Sequence, residues 1–208
     1  GVFRRQRQMC IRDRISTPLG NKLKLFKPND EVFSMGAPRR EPGRRANEAE
    51  KRIQLQRPFY FAITETSNKE YRQWKSEHNS SSIRGLSLDL NDQPVANIAW
   101  QDAALFCNWL SEKENLPKFY NVVGDRVTSI NWDSNGYRLP TESEWSWVAK
   151  VTKAGSTKVF PWNSPSYPPP FVSGNYADES AKSMLPFTIS NYNDSFPVSA
   201  SVGSFRPN

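Results

Sequence analysis

Apolar and polar positions alternate at a period of two in the first third of the chain and at a helical period in the middle, and show no regular period after residue 155. In KLKLFKPNDEVFSMG (22–36), Leu23 and Leu25 alternate with lysines, and Pro28-Asn29-Asp30 interrupts the run before Val32–Gly36. This predicts a half-buried strand, a turn and a second strand. RIQLQRPFYFAITETS (52–67) holds two further strand-like runs, Ile53/Leu55 and Phe59–Ile63. Ser67 and Glu70 have the S-x-x-E spacing of a capping box, which satisfies two backbone donors at a helix start. A helix is predicted from Ser67, with Tyr71 and Trp74 on one face.

PVANIAW (94–100) reads as a strand and QDAALFCNWLSEKE (101–114) as a helix, with Ala103, Phe106, Cys107 and Leu110 forming the apolar stripe. Residues 79–93 read as a polar loop, and 115–135 as a loop or hairpin insert. GYRLPTESEWSWVAK (136–150) carries a second capping box, Thr141 with Glu144, at the head of a short helix. Trp145, Val148 and Ala149 are assigned to its inner face. Trp100, Trp109 and Trp147 are likewise expected in or next to the core. From Gly155 onward, prolines at 161, 165, 168, 169, 170, 186 and 197 leave long loop with no helical period. So much loop inside one domain indicates a functional or ion-stabilised segment.

Composition narrows the picture. The chain has 208 residues, 37% hydrophobic and 12% aromatic, too apolar and aromatic for a disordered chain. No apolar run is long enough for a membrane span. Net charge is +7, but residues 1–14 carry +4 of it, five arginines against Asp13. Their RQMCIRDR run resembles translated sequencing-adapter read-through. Residues 1–21 are therefore read as a basic arm outside the domain, foreign or disordered, with no nucleic-acid partner inferred. Cys10 and Cys107 make neither a zinc signature nor a disulfide framework, and Cys107 on the apolar stripe reads as a small buried hydrophobe. The single histidine, His78, reads as a surface residue and excludes His-cluster metal sites.

The order of motifs resembles the formylglycine-generating enzyme, or sulfatase-modifying factor, family. FSMG (33–36), FYFAITETSNKEYRQW (59–74), PVANIAWQDAALFCNWLS (94–111), GYRLPTESEWSWVAK, FPWN (160–163), GNYAD (174–178) and PVSASVGSFRPN (197–208) follow one another as that family's motifs do. The resemblance covers roughly residues 22–208. It implies an α+β fold, a variant of the C-type lectin fold with a small twisted sheet, few short helices and much ordered loop. In that setting R-L-P-T-E-x-E-W is a scaffold element that can set Arg138 against a carboxylate.

The resemblance also implies structural calcium, held by the side chains of Asn175 and Asp194 and the carbonyls of Tyr176 and Phe196, with Asp178 a weaker substitute. The alternative is that Asn175 and Asp194 are ordinary turn residues. The family's redox step uses two thiolates that bind copper(I) and oxidises a cysteine of an unfolded sulfatase to formylglycine. Soft thiolates suit that ion, but no cysteine pair matches here and Cys107 falls at a structural position. No catalytic residue is assigned. The chain is expected to be a fragment, incomplete at its C-terminus and inactive alone, of a copper-dependent oxidoreductase acting on sulfatase polypeptides. The alternative is a non-catalytic family member with a structural, sensor or ligand-binding role.

Overall fold

A computed structural model describes residues 13–28, 32–41, 43–151, 158–162 and 164–207. The fold is α+β. Strands β1 (Arg14–Ser16), β2 (Lys22–Phe26) and β5 (Phe59–Ala62) form an antiparallel sheet in the order β1-β2-β5. β3 (Val32–Met35) pairs with β4 (Lys51–Gln54). Two hairpins follow, β6 (Ser82–Ile83) with β7 (Leu86–Ser87) and β8 (Tyr120–Val123) with β9 (Arg126–Ile130). The helices are α1 (Asn68–Tyr71), α2 (Trp100–Lys113) and α3 (Glu142–Lys150), with a 3₁₀ turn at Glu179–Ala181. The run 22–36 thus divides as expected, although its two strands join different sheets. Within the stretch read as an arm, 1–21, Arg14–Ser16 form β1, which pairs with β2 and so belongs to the fold; residues 1–12 lie outside the described residues. The turn expected at Asn29-Asp30 also lies outside them.

Gly36 ends β3 at φ +89°, and a Cβ there would collide with the Ala49 carbonyl. The F-x-M-G turn needs glycine for both reasons.

Both predicted capping boxes form. Ser67 Oγ accepts from Glu70 N while Glu70 Oε2 accepts from Ser67 N at 2.7 Å. Thr141 and Glu144 do the same for α3. On α2 the buried stripe is Ala104, Phe106, Cys107, Asn108, Leu110 and Ser111, with Ala104 in the place expected for Ala103, which is half-buried. Asn108 is enclosed because its amide copies a strand partner. Its Nδ2 donates to Tyr120 O at 2.8 Å, and its Oδ1 accepts from Tyr120 N at 3.1 Å. This docks β8 on the helix.

PVANIAW is not a strand. Pro94 forms one isolated bridge with Ser67, beside which Val95 N donates to Thr66 O at 2.9 Å, Asn97 has φ +54°, and Ala96 turns to a side chain, its N donating to Ser80 Oγ at 2.9 Å. Ser80 and Asn68 are both fully buried. Ser80 Oγ donates to Asn68 Oδ1 at 2.5 Å, and Asn68 Nδ2 donates to Leu88 O and Leu90 O at 2.8 and 2.9 Å. The T-S-N-x-x-Y run therefore ties the 79–97 passage to α1. His78 belongs to the same knot and is not a free surface residue. Its Nε2 lies 2.9 Å from Ala96 O, and its ring stands edge-on to buried Tyr71 at 4.8 Å. Asn68→Ala leaves several buried groups unpartnered, and unfolding in urea should show a loss of about 2 kcal/mol.

Trp145 and Trp100 are corrections: they are 59% and 58% exposed. Glu144 fixes the orientation of α3 through its bonds to Arg138 and Thr141. The residue one turn on, Trp147, then meets Phe26 and Phe59 edge-on at 5.9 and 6.3 Å. Trp145, about 100° around the helix from Glu144, points away.

Candidate functional site

The loops after α3 hold two buried carboxylates with no cationic partner. Asp178 is 0% and Asp194 4% exposed, and neither takes part in the ion pairs found among the described residues. Asp178 starts the 3₁₀ turn. Its Oδ1 accepts from Ser180 N at 2.8 Å and from Ser180 Oγ at 2.5 Å, and its Oδ2 accepts from Asp194 N. Burial pushes this carboxyl up, but the hydrogen bonds from Ser180 and Asp194 outweigh it and hold it below the usual aspartate value.

Asp194 reaches back across the same loops. Its Oδ2 accepts from Tyr176 N and its Oδ1 from Phe196 N, each at 2.8 Å. Burial, with the nearby negative charge of Asp178, pushes its carboxyl up although those amides pull it down. Its ionised form lacks a counter-charge.

The four residues expected to hold calcium therefore lie together: Asn175 and Tyr176 on one loop, Asp194 and Phe196 on the other. Asn175 is exposed and its Nδ2 donates to Val198 O. The set offers one carboxylate, an amide oxygen and backbone carbonyls, all hard oxygen donors of the kind calcium takes from loops. Among the described residues no group of three His, Cys, Asp or Glu could hold a metal, so a cation here depends on carbonyls for most of its protein ligands. The donor types are those calcium takes, while in this structure both Asp194 oxygens accept from backbone amides.

Two contributors were not legible as such. Asp178 is a fastener: both its oxygens hold backbone or hydroxyl hydrogens. The D-x-S spacing of Asp178 and Ser180 is the signal for it. Tyr192 is buried, and its hydroxyl accepts from Ser173 N and Gly174 N at 2.9 and 3.2 Å and donates to Gly174 O at 2.8 Å. It fixes the chain just before Asn175, over a separation that no local pattern reveals.

The remaining chemistry-bearing groups are structural. Cys107 is 8% exposed in a cluster with Ala104, Phe119 and Tyr120, and burial pushes its thiol up to about 12. A thiol so placed is neither nucleophile nor soft-metal ligand at neutral pH. Arg138 makes the expected carboxylate contact as a fork, Nη1 to Glu144 Oε2 at 2.7 Å and Nη2 to Oε1 at 2.5 Å. Among the described residues no helix is long and apolar enough to cross a membrane.

A profile of the sulfatase-modifying factor enzyme 1-like domain matches residues 26–208. A curated protein from Paenibacillus barcinonensis, named chaperone protein LppX, is 31% identical over 105 residues, which cover 44% of this chain. The matched part spans about a third of that relative's length, 35%. Among solved structures, Treponema denticola variable protein 1 matches with a TM-score of 0.52 at 22% identity, covering 68% of this chain and 55% of its own. The crystal structure of CarF matches at a TM-score of 0.44 and 24% identity, covering 66% and 59%. The first of these two carries the fold assignment and nothing finer.

Proposed function

The chain belongs to the sulfatase-modifying factor enzyme 1-like domain family, and from that premise we propose that it forms a calcium-held scaffold whose own buried cysteine takes no part in redox chemistry. The observation that carries this reading is the enclosure of Cys107 in the α2–β8 core. Calcium is assigned to the side chains of Asn175 and Asp194 and the carbonyls of Tyr176 and Phe196, where it offsets the buried charge and ties the two loops.

For the whole protein, the family points to oxidation of a cysteine in an unfolded sulfatase polypeptide to formylglycine. There a thiolate pair would hold copper(I), which would supply the oxygen chemistry, and Cys107 is not one of that pair. In this chain the residues on α2 and α3 only hold the frame. A second reading, a non-catalytic domain that acts on other polypeptides, is favoured by the relative named a chaperone.

The test uses a Cys10→Ser background so that Cys107 is the single thiol. Native protein should leave Cys107 unreactive to a thiol reagent for hours, show no copper(I) affinity in competition with a chromophoric chelator, and become fully reactive in denaturant. Fast labelling of the native form, or tight copper(I) uptake lost in Cys107→Ala, overturns the scaffold reading. To separate the two whole-protein readings, the full-length protein is given copper and a sulfatase-derived peptide. Aldehyde capture by a hydrazide probe supports the oxidase, and its absence with retained peptide binding supports the second.

A further inference from the structure

The loops after α3 also enclose a cleft of about 160 Å³, lined from residues 158–162, 171–173 and 206–207. Trp162, Phe171 and two prolines give it apolar walls. Trp162 is fixed in place. It is buried, stacks on Phe160 at 4.5 Å between ring centroids and donates from Nε1 to Ser166 O at 3.0 Å. Ser173 is fixed through its backbone, its N donating to the Tyr192 hydroxyl at 2.9 Å. Its own hydroxyl is enclosed and makes no hydrogen bond of normal geometry, the Tyr176 phenol being its neighbour.

Two cations line the same cleft. Lys158 is half-buried and tied through its backbone, its N donating to Lys150 O at 2.9 Å, while Arg206 is exposed. Among the described residues neither side chain has an ion pair or a hydrogen bond. No acid is part of the lining. The acids in contact with these loops are engaged elsewhere or unpaired with either cation. Asp178 and Asp194 turn their oxygens to Ser180 and to backbone amides. Glu179 accepts from Asn191 N, and Asp92, whose carbonyl holds Val202 N, forms no ion pair.

Size and charge identify the ligand. An apolar cavity of about 150 Å³ takes one benzene ring, so this cleft has room for a single ring. Two cations with no counter-charge in the lining call for a dianion, and a guanidinium fork beside an ammonium group suits phosphate. We infer that the cleft binds an aryl phosphate, its ring against Trp162 and Phe171 and its phosphate between Lys158 and Arg206. This inference stands on residues separate from the calcium ligands and from Cys107, so it does not depend on the proposed function.

The experiment is isothermal titration calorimetry of the whole chain with phenyl phosphate. Saturable one-site binding that weakens with salt is expected. Benzoate, a ring with one charge, and inorganic phosphate, the charge without the ring, should each bind on the order of tenfold more weakly. Lys158→Glu with Arg206→Glu should lower the affinity about a hundredfold, since two charge-assisted bonds are lost. Phe171→Ala should lower it several-fold. Neither cation holds another side chain and Phe171 is 45% exposed, so these variants keep the fold, which far-UV circular dichroism verifies. A free aryl phosphate and a phosphotyrosine side chain offer the same chemistry. A phosphotyrosine peptide that binds more tightly than phenyl phosphate assigns the ligand to a polypeptide, and one that binds equally or more weakly assigns it to a free molecule. No heat with millimolar phenyl phosphate, inorganic phosphate binding as tightly as phenyl phosphate, or undiminished affinity in the double charge reversal overturns the inference. The second of these reduces the cleft to a basic surface patch.

Discussion

Replacing Arg138 by alanine is expected to lower the unfolding free energy by about 3–4 kcal/mol, as for other pairs broken on one side in a low-dielectric setting. For a domain this long that corresponds to a melting temperature roughly 10 °C lower. The size follows from where the pair sits. The side chains of Arg138 and Glu144 are 23% and 11% exposed, and Glu144 cannot regain water when its partner leaves. The guanidinium also lies over Phe119 and Trp132, 5.5 and 5.9 Å from their ring centroids. Lysine would satisfy neither the fork nor the stacking, so Arg138→Lys should recover less than half of the loss. Glu144→Gln keeps an acceptor for Thr141 N and loses the charge, and a double-mutant cycle with Arg138→Ala isolates the pair. A single-mutant cost below about 1 kcal/mol would put the pair in the class of surface ion pairs and sink the argument.

The same pair has a pH signature. Burial pushes the Glu144 carboxyl up, but the bonds from Arg138 and Thr141 outweigh it and hold it below its ordinary 4.5. A carboxyl depressed in the folded state contributes stability above its unfolded value and loses it as pH falls through the folded one. The native protein should therefore lose stability progressively below pH 4.5, and Arg138→Ala should lose less over that window. Denaturant midpoints measured across acidic pH check this.

What the sequence made legible is local, and what it hid is long-range. The two capping boxes, the α2 stripe, the buried Cys107 and the Arg138–carboxylate contact each depend on residues within one or two turns of each other, where spacing carries the geometry. PVANIAW misled because its alternation is that of an extended chain, while the Ala96 backbone groups that would pair in a sheet are taken by Ser80, more than a dozen residues earlier. Trp145 misled because hydrophobic periodicity outranked a charge: Glu144, one residue before it, chose the face that α3 turns inward. The candidate site was half legible. Asn175, Tyr176, Asp194 and Phe196 came from a resemblance between loops; the D-x-S spacing signals the turn at Asp178, but nothing in a local window shows that Asp178 and Tyr192 reach across to fasten those loops together.

Calcium should stabilise the protein, and Asp194 should be the residue through which it does so. At free calcium a hundredfold above the dissociation constant, a single site adds about 2.7 kcal/mol, which for this length is a rise of roughly 5–10 °C in melting temperature. Chelation should remove it. Asp194→Asn should abolish the shift, and Asn175→Ala should reduce it, because each deletes a ligand. Asp178→Asn should behave differently. Both aspartates accept hydrogen bonds on both oxygens, but Asp178 also holds the Ser180 hydroxyl and lies outside the assigned ligand set, so its loss should lower stability with and without calcium while leaving most of the shift in place. The contrast between the two aspartates is the informative part. If both variants lose the shift equally, Asp178 is itself a ligand and the 178–180 turn must open to admit the ion. If neither does, and the native protein melts at one temperature in calcium and in chelator, then the buried charge of Asp194 is held by Tyr176 N and Phe196 N alone, and the loops after α3 need no ion.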